Sequence, residues 1–197
     1  MLMKPTVGCV ILAAGSGSRF GGDKLSALFR GRPLYEHAMD AVPASLQPQT
    51  VVVTGQDVIL CHARERGFRT VVNDRPELGI SRSIRLGTEE MGHCGALLYL
   101  VCDQPLLTRD VVEQLLRRYI EYPDKIIVPA DKNSISGNPC LFPARFFPEL
   151  CALEGDRGGK KVIAAHPEAV EYVTVETEAL TDTDFKSELD RLEKTGN

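Results

Sequence analysis

Gly15, Gly17, Arg19 and Lys24 fall within one loop, Leu12-Ala-Ala-Gly-Ser-Gly-Ser-Arg-Phe-Gly-Gly-Asp-Lys24, entered from the apolar run Val7 to Ala14. Glycines let the backbone take positive φ and turn several N–H groups toward one point, and the two cations can neutralise an anion held there. This composition predicts a cradle for the phosphates of a nucleotide. Two familiar glycine loops are excluded by spacing. A Walker A loop requires Gly-Lys-Ser/Thr after the four-residue gap, whereas Gly22 is followed by Asp23, Lys24 and Leu25. A dinucleotide fingerprint requires a third glycine where this chain has Phe20.

A second chemical group is Asp103, which follows the run Ala96-Leu-Leu-Tyr-Leu-Val-Cys102 and so projects from the tip of a predicted strand. A carboxylate there suits Mg²⁺, which takes one or two protein carboxylates and completes its shell with water and phosphate oxygens. Aspartate before Gln104-Pro105 also suits a simple turn. None of His37, His62, His93 and His166 stands in a pattern that such chemistry needs.

Apolar runs rich in branched residues alternate with helical patterns, which predicts strands joined by crossover helices in a mostly parallel sheet. The strands fall at Val7–Ala13, Thr50–Thr54, Arg69–Asn73, Ala96–Cys102 and Lys125–Val128, the last three reading as buried on both faces. Helices fit Pro33–Val42, Val58–Arg66, Ser81–Met91, with Ser81 as a candidate cap, and Thr108–Tyr122 capped by Thr108. Farther on, Leu141–Phe142 reads as a short strand, Pro143–Leu153 and Gly158–Ala165 as helices, and Ala169–Val175 as a strand of alternating type. A polar helix closes the chain near 185–194. Ligands of open α/β sheets sit beyond the carboxyl ends of the strands. The segments Gly15–Lys24, Asn73 with Gly79–Ser83, and Asp103–Pro105 are therefore expected to converge.

The 197 residues suit one domain, with 43% hydrophobic and 25% charged residues. A net charge of −4 gives no general attraction for nucleic acid, so phosphate recognition must be local. Six dispersed cysteines without a Cys-x-x-Cys pair read as thiols in mainly apolar settings rather than a disulfide or zinc framework. No run approaches the ~20 apolar residues of a membrane helix, and the first run is too short for a signal peptide, so a cytoplasmic setting is expected.

Leu12-Ala-Ala-Gly15-x-Gly17-x-Arg19-Phe-Gly21-x-x-Lys24, then Asn73 with Gly79-Ile-Ser81-x-Ser83, then Asp103-Gln-Pro105, Gly137-Asn138-Pro139 and Gly155-Asp156-x-Gly158-Gly159 occur in this order. The chain thereby resembles the MobA-like nucleotidyltransferases, and within them the molybdenum cofactor cytidylyltransferases, over Val7 to about Thr183. The resemblance implies a Rossmann-like three-layer α/β sandwich of the nucleotide-diphospho-sugar-transferase type, with a nucleotide-binding half over about 1–105 and an acceptor-binding half over about 106–185. It implies Mg²⁺, replaceable by Mn²⁺, with CTP as co-substrate. The acceptor would be the terminal phosphate of molybdenum-bearing molybdopterin, and a molybdenum hydroxylase a transient partner.

In the same terms, Arg19, Lys24 and Asp103 would be catalytic. Leu12, Ala13, Ala14, Gly15, Gly17, Asn73 and Ser81 would join Arg19 and Lys24 in holding the nucleotide. Asp103 and Asp182 would hold the metal. Ser83, Gln104, Asn138, Asp156, Gly158 and Gly159 would face the acceptor, with Arg157 and Lys160 adding charge. One departure stands out: relatives carry Asp-Ile-Asp-Thr-Pro where this chain reads Leu180-Thr-Asp182-Thr-Asp184. Use of GTP, another phosphorylated acceptor, and a non-catalytic cofactor chaperone are the alternatives to weigh.

Overall fold

The computed structural model describes residues 6–15 and 20–195. In chain order the elements are β1 (Val7–Leu12), β2 (Leu28–Phe29), β3 (Arg32–Pro33), α1 (Leu34–Asp40), β4 (Thr50–Thr54), α2 (Asp57–Glu65), β5 (Arg69–Val72), α3 (Ile80–Glu90) and β6 (Ala96–Val101). They continue with α4 (Arg109–Glu121), β7 (Ile126–Ala130), β8 (Cys140–Pro143), α5 (Phe147–Cys151), α6 (Lys160–Ala165), β9 (Val170–Thr174) and α7 (Lys186–Thr195).

Seven strands form one sheet in the order β5-β4-β1-β6-β8-β7-β9. Parallel pairing joins β5, β4, β1 and β6, and likewise β7 and β9, while β8 runs antiparallel to both of its neighbours. The central strands are apolar throughout because both faces are covered. Cys9 and Ile11 point to the side holding Met39 of α1, Ile59 of α2 and Leu115 of α4. Val10 and Leu12 point to the side holding Ile84 of α3, Leu150 of α5 and Val162 of α6. The result is a three-layer α/β sandwich. Gly87 lets α3 lie tight on this second face, since a Cβ there would stand 2.3 Å from the Val10 side chain.

Several expectations need correction. β5 is an exposed edge strand, not one buried on both faces, because at the sheet margin the two helix layers no longer cover its side chains fully. Helix α3 opens from Gly79, with no side-chain cap, and Ser81 lies inside its first turn. The predicted helix Pro143–Leu153 is a 3₁₀ turn followed by the short α5, because Pro143 still pairs in β8. Thr108 does cap α4, its hydroxyl accepting from the Val111 N–H. All six cysteines are free. Among the described residues no helix is long and apolar enough to cross a membrane.

Candidate active site

β1 and β6 are adjacent and parallel in register, Leu12 opposite Val101, so the loop after one strand and Asp103 after the other leave the sheet side by side. The Lys24 ammonium lies 2.9 Å from Asp103 Oδ2 and 2.9 Å from Asp184 Oδ1. Its side chain is 10% exposed. Burial desolvates the ammonium and disfavours its charge, but the attraction of and hydrogen bonds to Asp103 and Asp184 together outweigh that cost, and the net shift is upward.

Behind Asp103, the segment 181–184 crosses the strand tip. The backbone N–H and the hydroxyl of the fully buried Thr183 both donate to the Asp103 carbonyl. Asp182 keeps an exposed surface, but desolvation of its carboxyl by the surrounding chain, joined by the charges of Asp103 and Asp184, raises it to about 6. A hydrogen bond from Gln104 and the charge of Lys160 oppose that rise. Asp103 Oδ1 is buried and finds no hydrogen-bond partner among the described residues. An orphaned carboxylate oxygen beside mutually repelling carboxylates fits a divalent cation, which would relieve both conditions. No group of three His, Cys, Asp or Glu among the described residues forms a ready-made metal cage. The donor set therefore suits a cation that takes few protein ligands and shares the rest with a phosphorylated substrate.

Three adjoining cavities run along this edge. The central one, about 340 Å³, is lined by Gly15, Phe20, Lys24, Ser83, Asp103 and Asp184 among others. It shares Ala14, Gly15 and Pro76 with a cavity of about 420 Å³ formed by Asp23, Gly55, Gln56, Asn73 and Asp74. On its other side it shares Leu12, Ile80, Val101 and Asp156 with a more apolar cavity of about 730 Å³ that reaches Asn138, Arg157, Gly158, Gly159 and Lys160. Gly79 closes the seam between them. Its φ is +87°, and a Cβ there would sit 2.4 Å from the Gly155 backbone. The chain can therefore bring α3 against the 155–159 loop only through glycine, and the Ser81 N–H then bonds the Gly155 carbonyl at 3.2 Å.

The three loops expected to converge do so at the central cavity, though individual residues differ in what they offer. Arg19 and Gly17 lie outside the described residues. Leu12, Ala14 and Gly15 line it. Ala13 instead turns into the core. Asn73 is buried with its amide committed: Nδ2 donates to Ser83 Oγ at 2.9 Å, while Oδ1 accepts from the Arg75 N–H and Arg82 Nε. It therefore braces the loop at the cavity beside Gly55 and Gln56. Ser81 is buried and lines none of the three cavities. Gln104 is buried behind Asp103, with Nε2 directed at the Leu180 carbonyl, so it positions the 180–182 segment and has no surface for an acceptor. Asn138, Asp156, Gly158 and Gly159 do line the larger cavity. The four histidines line none of the three cavities and bond outside them, for example His62 to Tyr35.

Sequence reasoning missed Asp184 and Thr183. Their only signal was the position of the polar segment after Leu180, where a departure from the relatives' pattern drew attention to Asp182 alone.

Residues 9–170 match the MobA-like NTP transferase domain. The chain belongs to that family. Among curated relatives, this MobA-like NTP transferase is 24% identical to a protein of Thermococcus sibiricus named probable molybdenum cofactor guanylyltransferase, covering 93% of this chain and 95% of the relative. It is 28% identical to the nicotine blue oxidoreductase of Paenarthrobacter nicotinovorans, covering 95% and 97%. In fold it is similar to Mycobacterium tuberculosis Rv0371c, crystallised in complex with manganese, with a TM-score of 0.75 at 22% identity over 96% of this chain and 99% of that one.

Proposed function

We propose that this chain transfers CMP from CTP to the terminal phosphate of molybdenum-bearing molybdopterin, releasing pyrophosphate and giving molybdopterin cytosine dinucleotide. The supporting observation is the row of adjoining cavities with Lys24 and Asp103 at its centre. In this reading the base occupies the cavity beside Gly55 and Gln56, the triphosphate the central one, and the acceptor the larger one.

An acceptor phosphate is already an anionic nucleophile, so no serine, cysteine or histidine has to be activated. Its oxygen forms a bond to the α-phosphorus as the bond from that phosphorus to the β-phosphate bridging oxygen breaks, and the electron pair leaves with pyrophosphate. The main obstacle is bringing two polyanions into line, so positioning and electrostatic stabilisation provide most of the rate. Lys24 offsets charge on the α-phosphate and the leaving group, with Arg19 as its proposed companion. Backbone N–H groups around Gly15 orient the triphosphate. Arg157 and Lys160 draw the acceptor phosphate to the seam. Asp103, with Asp182, would hold Mg²⁺ or Mn²⁺, a reading supported by the manganese complex of Rv0371c. When bound, such an ion neutralises phosphate charge and polarises the α-phosphate. The setting in this reading is cytoplasmic, with the product passed to a molybdenum hydroxylase.

For cytosine, the support is Ala13-Ala14 in place of a glycine-containing pair. Ala14 lines the cavity beside Gly55 and Gln56, where added bulk would limit the size of the base. The guanylyltransferase name of the Thermococcus relative favours GTP as the second reading. Pyrophosphate release measured with molybdopterin and each of the four triphosphates decides between them. Turnover with CTP alone is the expected result; activity confined to GTP overturns the cytidylyl reading, and binding of molybdopterin without turnover on any triphosphate supports a chaperone.

A further inference from the structure

Lys24 and Asp184 are 160 positions apart in sequence, yet both ends of their ion pair are fastened. The Lys24 carbonyl accepts from the Ala27 N–H as the chain turns into β2. Asp184 directly follows Thr183, which is pinned to the Asp103 carbonyl. It also precedes α7, whose Leu189 is buried against Phe29 and Leu34 and whose Glu193 accepts from the Arg30 N–H. The carboxylate is thus carried on a closed strap between the strand tip and the β2–β3 hairpin. The carboxylate itself is half-exposed, so the fastening of the strap on either side of it, not burial, keeps it at Lys24.

This arrangement has a cost for an incoming anion. The one described cation lining the central cavity, Lys24, is already engaged by Asp103 and Asp184, and both carboxylates line the same cavity. A triphosphate without a counter-ion must pull Lys24 from two partners while approaching their negative charges. We propose that Asp184 holds Lys24 in reserve, so that triphosphate binds well only together with a divalent cation that takes over the charge of these carboxylates. Asp184 is in this sense a positioning residue acting through Lys24. The inference rests on the central cavity being the triphosphate site, and it holds whichever base the enzyme selects.

The test is equilibrium binding of inorganic tripolyphosphate, which has no base, and of CTP to the full chain by calorimetry. Each is measured in EDTA and in saturating Mg²⁺. In EDTA, Asp184→Asn is expected to bind tripolyphosphate about five- to tenfold tighter than wild type, because one competitor for the ammonium is gone. In Mg²⁺ the difference should shrink below about twofold, and Asp184→Glu should restore wild-type behaviour in both media. Equal tightening in both media would reflect only the loss of a negative charge and overturns the proposal, as does unchanged or weaker binding in EDTA. Asp184→Ser repeats the comparison if the asparagine variant loses its thermal transition, and loss of folding in both assigns Asp184 to the fold and overturns its role in binding. Wild type that binds tripolyphosphate with Mg²⁺ but shows no turnover with CTP separates failure of the cytidylyl reading from failure of this one.

Discussion

The backbone carbonyl of Asp103 accepts two hydrogen bonds from Thr183, one from its N–H at 2.9 Å and one from its hydroxyl at 3.1 Å. Thr183 is fully buried. The tip of β6, where the site carboxylate leaves the sheet, is therefore held by a segment 80 residues later in the chain. Thr183→Val keeps shape and the N–H bond but removes the hydroxyl. It is expected to lower stability by about 1 kcal/mol and to leave the Asp103 carboxylate less well aimed. Urea denaturation together with pyrophosphate release should show both effects, with kcat reduced about tenfold. An unchanged kcat would show that the hydroxyl has no part in aiming Asp103.

Asp103→Asn preserves size and removes the charge. Turnover should fall by about a hundredfold or more, the range seen when a stabilising group in the transition state is lost. Triphosphate binding should be largely retained, because the glycine loop remains and Lys24, released from one competing carboxylate, offsets the weakened cation site. Retained turnover would remove Asp103 from the chemistry.

Asp182 carries a pH signature. Its folded-state value near 6 stands above the ordinary 3.8. The folded protein therefore keeps a proton that the unfolded chain releases across this interval. Stability consequently falls as pH rises from about 4 to about 6, and the penalty is complete above 6. Asp182→Asn in the presence of a chelator should melt a few degrees higher than wild type at pH 7 to 8, allowing for solvent screening of a partly exposed carboxyl. Below about pH 4 the two proteins should melt together. Equal melting temperatures at every pH would refute the desolvation and the neighbouring charges of Asp103 and Asp184 as the cause of a raised Asp182.

Gly79→Ala confronts both a left-handed backbone angle and contact with the Gly155 backbone at 2.4 Å. A loss of roughly 2–3 kcal/mol is expected, since neither the angle nor a backbone neighbour can yield easily. Because this contact joins the central and larger cavities, KM for the acceptor should rise more than KM for the triphosphate. Chemical denaturation and initial-rate kinetics would test this, and a neutral substitution would count against the seam.

Where local sequence carries the physics, the sequence and the structure agree. The strands from Thr50 and from Ala96 and the helix capped by Thr108 are set by branched apolar runs and a side-chain cap that can be read in a short window. Convergence of Gly15, Lys24, Ser83 and Asp103 follows from the rule that open sheets bind at their carboxyl edge. The direction of β8 was not legible, because Cys140-Leu-Phe-Pro143 is equally apolar in either orientation and its pairing with Tyr99 and Ile127 is decided by distant partners. Ser81 looks like a cap by type, but the turn is set by the positive φ of Gly79. Asp184 is invisible locally for a similar reason: nothing in Thr-Asp-Thr-Asp-Phe says which lysine it will meet.

The reversed strand β8 also has a consequence for how the chain acquires its shape. It sits between β6 and β7, yet it emerges from synthesis after both. Until residue 143 is available, β6 and β7 each present an open hydrogen-bonding edge, and the sheet exists as two unjoined pieces. Insertion of these four residues unites them in one step. The acceptor side of the site should therefore join late in folding to a nucleotide side whose strands can already pair, and a nascent chain that stalls shortly before β8 is the form most prone to pair with another copy of itself.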